Sequence, residues 1–594
     1  MDGRTLVFDI ETHSAELIWS MPPEEFVRLI GYKWRGGEVV LTTNLQQLID
    51  QIMRARWIVG HNISHFDLPA VFGVKSDWPL KLAMEGRVYD TWPHATLVNP
   101  APYEYVNRHG KVAKAARPEQ MTKWFSLDEQ AHQLGVPGKT HDLKALAKEF
   151  GGFGQIPTDD GRFREYLIGD VNAAEGVAEA LLKKGPLDKY ALREQELQAR
   201  AFVIISNGFR VDAERAQARV DELTVNRDKI MAGLVEKYDF PTEGASPWAS
   251  AAGKEAIFAA LKDAGITKSS RKDWPKTATG NLSLGGDALL KITEGTPAEE
   301  LGKALAELKG QRSLAQLALD SQYPDGFAHP EITMLQRSGR WSTTKPGLTV
   351  WTARGPGAVE KSYFIPDNDE EVLIEIDYSN ADARGVAALS GDKAYAKRFE
   401  PGQDGHMLNA VAAWGEATVM TDPKKYRQMA KPLGHGWSYG GRPKTLSAQT
   451  GVPLADAKRF CEGMDETYRG IVSWQERVRK YARFHGYVVN EWGRKLYVEE
   501  GREFTQAPAL LGQNVTREIV CDAILAMSIE QLRRVKCQIH DALAFSVPKD
   551  DWEWWVDSLS ELMTVKFKPR RGGQEIEFPV EAGNPGSNWY EAGH

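Results

Sequence analysis

Apolar and polar positions follow different patterns in successive parts of the chain. Residues 1–185 mix short apolar runs typical of strands, Leu6–Phe8 and Trp57–Val59, with helically spaced stretches, Leu127–Gln133 and Leu143–Glu149. Strands that alternate with helices in this way predict an α/β region.

The remaining residues divide into a helical part and a mixed part. Residues 186–330 carry apolar positions at helical spacing in 192–206 and 286–319, with a polar patch at 265–285 between them. Residues 331–594 return to mixed structure. There, 372–377 predicts a strand, 404–484 mostly helices and 535–547 a hairpin.

Composition narrows the class of protein. With 594 residues the chain is too long for a single core, and about three or four folded units are expected. Hydrophobic content of 42% and charged content of 26% favour a soluble protein, and no apolar run reaches the roughly 20 residues that span a bilayer. The start, MDGRTLVFDIET, lacks the layout of a signal peptide. The odd number of cysteines, without metal-ligand spacing, predicts free thiols in a reducing compartment such as the cytoplasm.

Net charge bears only weakly on the choice of partner. The value of −7 argues mildly against nucleic acid. A large enzyme can nevertheless carry a local basic channel, and carboxylates that bind metals lower the total.

Acidic residues recur at the ends of the predicted N-terminal elements. Asp9 and Glu11, two apart in LVFDIET, lie on one face of a strand because side chains alternate with period two. WIVGHNISHFD runs a strand into a turn and puts Asp67 at an expected helix start. YLIGD puts Tyr166 and Asp170 four apart, on one helical face.

Carboxylates that converge repel one another unless they bind divalent cations. Two cations about 4 Å apart would activate a water and stabilise the leaving oxygen of a phosphodiester, and Tyr166 could orient that water. A single Asp-x-Glu on a strand is common and carries little information. The ordered set of motifs resembles the DEDD exonuclease superfamily in its tyrosine-bearing version. The resemblance implies an RNase H-like 3′→5′ exonuclease domain over 1–185, with Asp9, Glu11, Asp67 and Asp170 as metal ligands.

A second pair of acids lies in the C-terminal half. The strand VLIEID ends at Asp377, and the apolar runs VKCQI and LAFSV flank His540 and Asp541. An unpaired charge at a tight turn between buried strands is costly, and a bound metal would offset that cost. Asp377 and Asp541 therefore predict a metal pair for nucleotidyl transfer, in which one ion activates a primer 3′-hydroxyl and both hold phosphates.

A basic and aromatic stripe lies between these acids. In RQMAKPLGHGWSYGG, Arg427, Lys431, His435 and Tyr439 recur every four residues, which predicts one helical stripe. The two cations could bind triphosphate oxygens, and the aromatic end could stack on base or sugar. A solvated basic face is the alternative, but it does not explain why the stripe continues into aromatic residues.

These segments together resemble DNA polymerase family A, the class of bacterial DNA polymerase I and its phage relatives. DYSNADAR resembles the first palm motif, RQMAKPLGHGWSYGG the finger helix and QIHDALAFSV the second palm motif. The resemblance implies an α+β right-hand polymerase domain, with the thumb mostly in 186–330, the palm in 331–403 and 485–594, and the fingers in 404–484. Because the predicted exonuclease begins at residue 5, the family's separate 5′ nuclease domain is not expected, and this compact layout suggests a phage enzyme.

Further contacts follow from the same resemblance. SGRWSTTKPGL resembles TGRLSSTDPNL, so Arg340 would contact the primer–template end and Arg354 would reach the triphosphate. DGHMLNAVA resembles DIHRATA, so His406 would contact the β-phosphate, and Gln513 in LLGQNVTREIV falls on the template-contacting QGTAAD.

The charged side chains of these motifs also receive roles. Lys431 would be the general acid for the pyrophosphate leaving group. Arg427, together with His406 and Arg354, would neutralise the triphosphate.

The chain departs from the family at several positions. Asp382 stands where the family has a Glu that walls off the sugar 2′ position and hydrogen-bonds the tyrosine matching Tyr439, and His435 replaces the sugar-facing Phe or Tyr. Altered discrimination against ribo- or dideoxynucleotides is expected. The family's HDE is His540-Asp541-Ala here, which still leaves two carboxylates. Pro432 inside the finger helix, at a cost of about 3 kcal/mol, predicts kinked N-terminal turns, and Gly434 and Gly436 weaken the helix further.

KSSRKDWPK, residues 268–276, carries four basic residues against one acid, where the thumb tip of the family would be. This segment could contact DNA phosphates, or it could be a solvated loop, and the sequence leaves both interpretations open.

The sequence therefore predicts template-directed DNA synthesis from dNTPs with 3′→5′ proofreading. Mg²⁺ is expected at both sites, two ions at each, with Mn²⁺ as an alternative. Expected partners are primer–template DNA and dNTPs, with a monomeric enzyme and no membrane. Rivals are an exonuclease whose C-terminal half only clamps DNA, a single-subunit RNA polymerase and a non-enzymatic DNA-binding scaffold. The intact acids and the predicted proofreading domain argue against them.

Overall fold

The computed structural model of this chain describes residues 3–138, 142–244, 246–277, 280–310, 314–352 and 357–593. The chain forms two compact units. The large unit comprises Met1–Arg210, Tyr323–Val350 and Ile365–His594, and the small unit comprises Val211–Gln322 and Trp351–Phe364. Among the described residues, no helix is both long and apolar enough to cross a bilayer. All three cysteines are described and buried, and none forms a disulfide.

The two units do not separate the predicted exonuclease, palm and fingers, which all lie mainly in the large unit, so the boundaries between these domains stay predictions. The helix Lys189–Asn207, predicted in the thumb, packs against elements of the large unit. Residues 351–364, predicted within the first part of the palm, belong to the small unit. Sequence distance does not reveal such contacts.

The N-terminal part of the large unit contains a five-stranded mixed sheet in the order β3-β2-β1-β4-β5. β1 pairs with β2 antiparallel and with β4 parallel. Its near-continuous burial is typical of a central strand covered on both faces. The strands are β1 Thr5–Thr12, β2 Val27–Trp34, β3 Val40–Thr42, β4 Trp57–Gly60 and β5 Val88–Asp90.

Helices and one hairpin accompany this sheet. The hairpin strands are β6 Glu104–Val106 and β7 Val112–Lys114. The helices are α1 Pro23–Phe26, α2 Leu45–Arg54, α3 Asp67–Phe72, α4 Trp78–Met84, α5 Thr91–Val98, α6 Pro118–Trp124, α7 Leu127–Leu134, α8 Leu143–Phe150, α9 Gly161–Lys184 and α10 Lys189–Asn207.

α9 closes tightly on the sheet. Its buried residues Phe163, Leu167 and Val171 recur at helical spacing and form one apolar face. A Cβ on Gly31 of β2 would lie 2.9 Å from Leu167 Cγ, so glycine is what permits this close approach. Tyr166 and Asp170, predicted on one helical face, are both buried residues of this helix.

The small unit is mainly helical, as predicted for this stretch. Its core contains Trp248, Ile257, Trp274, Leu289 and Leu305. Its helices are α11 Ala213–Tyr238, α12 Ala251–Asp263, α13 Gly286–Thr293, α14 Glu299–Gly310 and α15 Leu314–Asp320.

Short strands precede the second main sheet. They are β8 Phe209–Val211, β9 Phe327–Ala328, β10 Glu331–Thr333, β11 Ser342–Thr344 and β12 Phe364–Ile365. The strands that follow them are β13 Glu371–Tyr378, β14 Tyr487–Val489, β15 Lys495–Tyr497, β16 Val535–Ile539, β17 Ala542–Pro548, β18 Val565–Phe567, β19 Ile576–Phe578 and β20 Val580–Ala582.

The second main sheet has four strands in the order β16-β17-β13-β20, and all neighbours are antiparallel. The predicted strand 372–377 and hairpin 535–547 are confirmed by β13 and by β16–β17.

Helices surround this sheet, and the predicted helical content of 404–484 is confirmed. They are α16 Ala381–Ser390, α17 Lys393–Ala396, α18 Gly405–Trp414, α19 Glu416–Val419, α20 Pro423–Ser438, α21 Pro443–Thr450, α22 Leu454–Thr467, α23 Arg469–His485, α24 Glu503–Ala526, α25 Ile529–Arg534, α26 Trp552–Met563 and α27 Trp589–Ala592.

α20 contains Pro432 and continues without interruption to Ser438. The glycines serve close packing, since a Cβ on Gly434 would lie 2.3 Å from Asn409 Nδ2 and one on Gly436 would lie 2.4 Å from Leu446 Cδ2. Tertiary packing of the buried face thus outweighs the local cost of about 3 kcal/mol for an internal proline.

α10 connects the two sheet regions through a buried polar network. Gln195 exchanges hydrogen bonds with the Asp90 backbone, at 2.8 and 3.0 Å. The neighbouring Glu194 accepts two hydrogen bonds of 2.7 Å from Arg517 of α24, and Arg517 also donates to the Gly339 carbonyl. One helix therefore links the end of β5 to the segment that precedes Arg340.

Candidate active sites

The first cluster of acids lies on β1 and α9. Asp9, Glu11 and Asp170 each offer a carboxylate oxygen within 4.8 Å of the others. Glu11 and Asp170 are buried, so their ionised forms repel strongly in a medium of low dielectric constant. Three oxygen ligands at this separation fit a divalent cation such as Mg²⁺.

Asp67, the fourth predicted ligand, lies beside this group. It is in the first turn of α3, as predicted, and it is buried. Burial, then the Asp90 carboxylate, and more weakly Asp170, raises the pKa of Asp67 to about 8, although the Ile10 backbone N–H opposes this rise. Since Ile10 lies between Asp9 and Glu11, Asp67 flanks the same stretch of β1.

The tyrosine of the third motif also faces the cluster. Burial, then the charges of Asp170, Glu11, Asp9 and Asp128, raises the pKa of Tyr166 far above its usual range. The hydroxyl therefore remains protonated at neutral pH and can donate a hydrogen bond to an oxygen placed among the acids.

The second pair of acids meets at the β16–β17 turn. Asp377 on β13 pairs in register with Ala542, the residue after Asp541, and the Tyr378 N–H donates to the Asp541 carbonyl at 3.4 Å. The turn is tight, and His540 adopts a φ of 54°, in the left-handed region. The sheet register therefore makes the two acids neighbours, although 163 positions separate them in the sequence, from 377 to 541 exclusive.

Electrostatics reflect this proximity. Burial, then the Asp541 carboxylate, raises the pKa of Asp377 to about 7. Burial, then Asp382, raises the pKa of Asp541. Asp377 Oδ1 is buried and accepts no hydrogen bond within the described part of the chain. A buried, unsatisfied carboxylate oxygen beside a second acid fits a divalent cation.

Asp382 lies next to this pair and is held from two sides. Arg340 donates a hydrogen bond to its Oδ1, and Thr516 Oγ1 donates to the same oxygen at 2.6 Å. Arg340 Nε also donates to the Gln513 carbonyl at 3.3 Å. Burial, then Asp382, raises the pKa of Tyr439 well above its usual range. Arg340, Thr516, Gln513 and Tyr439 therefore form one group with Asp382 at its centre.

The predicted stripe is only partly helical. Arg427, Lys431 and His435 lie on α20, but the helix ends at Ser438, and Tyr439 follows it as a buried residue. The His435 and Tyr439 rings remain in edge contact, with centroids 5.2 Å apart. The four-residue spacing therefore predicted that His435 and Tyr439 are neighbours, but it did not predict that the helix ends at Ser438.

A cationic group extends from α20 to α18. Arg427 pairs with Asp404 at 2.5 Å, and the Asp404 carboxylate caps α18 by accepting the His406 N–H at 2.9 Å. Burial lowers the pKa of His406, and the charges of Arg427 and Lys431 lower it further. The Asp404 carboxylate acts in the opposite direction but does not cancel these effects. His406 is therefore neutral at pH 7 and close to both cations.

Two other predictions have separate outcomes. Arg354 lies outside the described residues. In the segment 268–276, Lys268, Lys272 and Lys276 are exposed, whereas Arg271 donates to the Ile292 carbonyl at 2.8 Å. Three of the four basic residues are therefore available to an external partner, and the fourth braces the small unit.

Three residues of these sites were not predicted from the sequence. Asp90, at the end of the apolar strand VYD, accepts the N–H groups of Asn62 and Ser64 and raises the pKa of Asp67. Its position at the end of a strand could have identified it in the sequence. No sequence pattern identifies Asp128 or Thr516, because only the tertiary fold brings them to Tyr166 and Asp382.

The chain is similar to known proteins over its whole length. The model of DNA polymerase family A matches residues 255–591, more than half of the chain. A DNA polymerase of Mycobacterium phage D29 is 26% identical, with 97% of this chain and 88% of the relative covered. One of Mycobacterium phage L5 is 25% identical over 86% and 81%. The thermostable DNA polymerase I of Thermus filiformis is 28% identical, over 49% of this chain and 38% of that protein.

A solved structure shares the fold. The POL domain of Pol1 from M. smegmatis, in complex with DNA primer-template and dNTP, superposes with a TM-score of 0.72. The match covers 100% of this chain and 97% of that domain at 18% identity. At this identity the similarity concerns the fold alone.

Proposed function

This chain belongs to DNA polymerase family A, and we propose that it adds deoxynucleotides to a primer 3′ end on a DNA template, in the replication of a phage genome. The observation that carries the proposal is the pair Asp377 and Asp541, two half-buried acids at the end of β13 and in the adjoining β16–β17 turn, both with raised pKa values. Two neighbouring acids that repel each other are costly to a fold unless a cation binds them, and this favours a catalytic role over a structural one.

Asp377 and Asp541 would hold the metal ions at this site. Bound divalent cations would supply Lewis-acid activation of the primer hydroxyl and neutralisation of phosphate charge. The protein contributes a fixed sheet register and partial exclusion of water, which strengthen electrostatic interactions at the pair.

The cationic group on α20 would receive the triphosphate. Arg427 and Lys431 are the charged donors, and the neutral His406 donates a hydrogen bond without adding charge. The Arg427–Asp404 pair is about two-fifths exposed on each side, so it stabilises the free enzyme by only about 1 kcal/mol or less. Triphosphate oxygens can therefore replace Asp404 as the partner of Arg427. Lys431 would donate the proton to the pyrophosphate leaving group.

The group around Asp382 would contact the sugar and the primer–template end. Arg340 and Gln513 would face the DNA, and His435 with Tyr439 would face the incoming nucleotide. Arg340 and Thr516 both donate to Asp382 and fix its carboxylate. This supports the expectation that Asp382 lies further from the sugar 2′ position than the longer Glu of the family. The partner classes accord with the M. smegmatis domain, which was solved with DNA primer-template and dNTP.

The N-terminal cluster supports a second activity, 3′→5′ excision of mismatched ends, in an RNase H-like domain. The observation behind it is the convergence of Asp9, Glu11 and Asp170 within 4.8 Å, with Asp67 alongside. These acids would hold divalent cations that activate a water. Tyr166, which stays protonated, would orient that water.

Primer extension on a mismatched primer tests both activities. Asp9→Ala should extend without removing the mismatch, because only the first cluster loses a ligand. Asp541→Ala should remove the mismatch without extending it. Wild-type protein that excises but never extends would favour a nuclease with a DNA-clamping C-terminal half. Preferential extension with rNTPs would favour an RNA polymerase.

A further inference from the structure

The hairpin of residues 104–114, formed by β6 and β7, has no part in the functions described so far. Its side chains alternate between two faces, as period two requires. Tyr105 and Ala113 face inward as a directly opposite pair, and the Tyr105 ring meets Trp124 edge-on with centroids 4.8 Å apart. The outer face of the hairpin therefore consists of Glu104, Val106, Val112 and Lys114, all of them exposed.

The turn of this hairpin is braced by its own backbone. The Asn107 N–H donates to the Lys111 carbonyl at 2.9 Å, and Asn107 Oδ1 accepts the N–H groups of His109 and Lys111. Gln133 of α7 also donates to the Val106 carbonyl at 2.8 Å. The outer face is thus presented on a fixed support rather than on a loose loop.

The turn adjoins the first acidic cluster. Arg108 donates to Asp128 Oδ2 at 2.5 Å, and its backbone N–H donates to Glu129 at 3.2 Å. Asp128 is close enough to Tyr166 for its charge to raise the pKa of that hydroxyl. The Arg108–Asp128 pair therefore links the hairpin to a residue whose charge acts on the Tyr166 hydroxyl.

The hairpin and the three residues after it differ in charge from the whole protein. Between residues 104 and 117 the basic residues Arg108, Lys111, Lys114 and Arg117 outnumber the single acid, Glu104, although the chain carries a net charge of −7. Lys114 pairs with Glu104 at 3.7 Å, but an ion pair this exposed contributes only about 1 kcal/mol or less, so a phosphate can replace Glu104. At the centre of this basic region, the directly opposite Val106 and Val112 are 56% and 72% exposed.

A single strand of DNA matches both properties. It offers phosphates to the cations and uncovered base faces to the apolar pair, whereas a duplex hides its base faces in the stack. We propose that hairpin 104–114 is a single-strand guide that delivers the 3′ end to the acidic cluster, with Lys111 and Lys114 on phosphates and Val106 and Val112 on bases. This inference rests on the proposed exonuclease function.

The test compares excision of a 12-residue oligothymidylate with cleavage of a thymidine dinucleotide, whose single phosphate is the one cleaved at the acids and leaves none for the hairpin lysines. In Lys111→Gln/Lys114→Gln, the preference of the wild type for the oligonucleotide, measured as a ratio of kcat/KM, should fall about tenfold. The double-logarithmic slope of oligonucleotide kcat/KM against salt should become shallower by about 1.4, roughly 0.7 for each phosphate that the protein no longer neutralises.

The matched control is Lys183→Gln/Lys184→Gln, which removes the same charge from exposed positions at the C-terminal end of α9. These lysines lie about 20 Å from Asp170 along the helix, at a rise of about 1.5 Å per residue. The control should keep the wild-type length preference and salt slope.

An unchanged length preference and slope in the hairpin variant would overturn the guide role, even if wild type excises normally. Equal losses in the hairpin variant and the control would also overturn it, because the effect would then be one of net charge. Failure of the wild type to cleave either substrate would instead refute the proposed exonuclease, and the guide with it.

Discussion

Replacing Glu194 with Gln should measurably destabilise the large unit. Glu194 is buried on α10 and accepts two hydrogen bonds of 2.7 Å from the buried Arg517. Burial alone would raise its pKa, but the charges of Arg517, Arg494 and Arg193 outweigh burial and lower the pKa from 4.5 to about 2. A glutamine keeps the shape and removes the charge that compensates Arg517.

Two independent routes give the size of the effect. A pKa lowered by between two and three units corresponds to about 3 kcal/mol of stability at neutral pH. Breaking a buried ion pair by removing one partner costs about 3–5 kcal/mol. We therefore expect the free energy of unfolding to fall by about 3 kcal/mol, and the melting temperature by a few degrees for a unit of this size.

The assay is unfolding in urea at pH 7, with Glu196→Gln as the control. Glu196 lies on the same helix and pairs with Arg200 at 2.8 Å, but it is 27% exposed. Arg200 is buried and also donates to the Ile524 and Met527 carbonyls, so the loss of Glu196 should cost only about 1 kcal/mol. Because the folded-state pKa of Glu194 is depressed, its contribution is complete above pH 4.5 and is lost as the pH falls towards 2. The gap between wild type and Glu194→Gln should therefore narrow below about pH 4.5. Equal unfolding midpoints for the two variants at pH 7 would refute the reasoning.

Three further outcomes are expected. Gly512→Ala would bring a Cβ within 2.6 Å of Tyr439 Cε1, so the KM for dNTP should rise in single-nucleotide incorporation while mismatch excision is unaffected. Thr516→Val removes the hydroxyl that holds Asp382, and ribonucleotide incorporation relative to deoxynucleotide should rise by up to about tenfold; Thr516→Ser should keep the wild-type ratio. Since burial and its acidic neighbour raise the pKa of Asp377 to about 7, Mg²⁺ titrations of primer extension should show affinity falling roughly tenfold per pH unit below 7 and constant above it.

The sequence predicted those features that local pattern determines. β1, β13 and the β16–β17 hairpin are apolar runs that end at turn residues, and the structure has them where they were expected. Spacing also placed Tyr166 and Asp170 on one buried face of α9, because helical geometry fixes that relation whatever the surroundings.

Features that depend on tertiary contacts were not predicted. The predicted finger helix already included Pro432, but the packing of α20 on α18, which offsets the proline penalty, was not visible in the sequence. Asp128 and Thr516 acquire a role only when distant segments meet. Sequence spacing could not show that Arg340 is engaged by Asp382 in the free protein, since 41 positions separate them.

The strand order of the second sheet has a consequence for biosynthesis. β13 lies between β17 and β20, yet it ends at residue 378, whereas β16 begins at 535 and β20 at 580. A nascent β13 therefore waits for its partners while the ribosome adds the intervening residues, at about 5–20 per second. Asp9, Glu11 and Asp170, with Asp67 beside them, have emerged long before. Ribosome stalling anywhere in the last third of the message would therefore yield chains that carry the first acidic cluster without a closed second sheet.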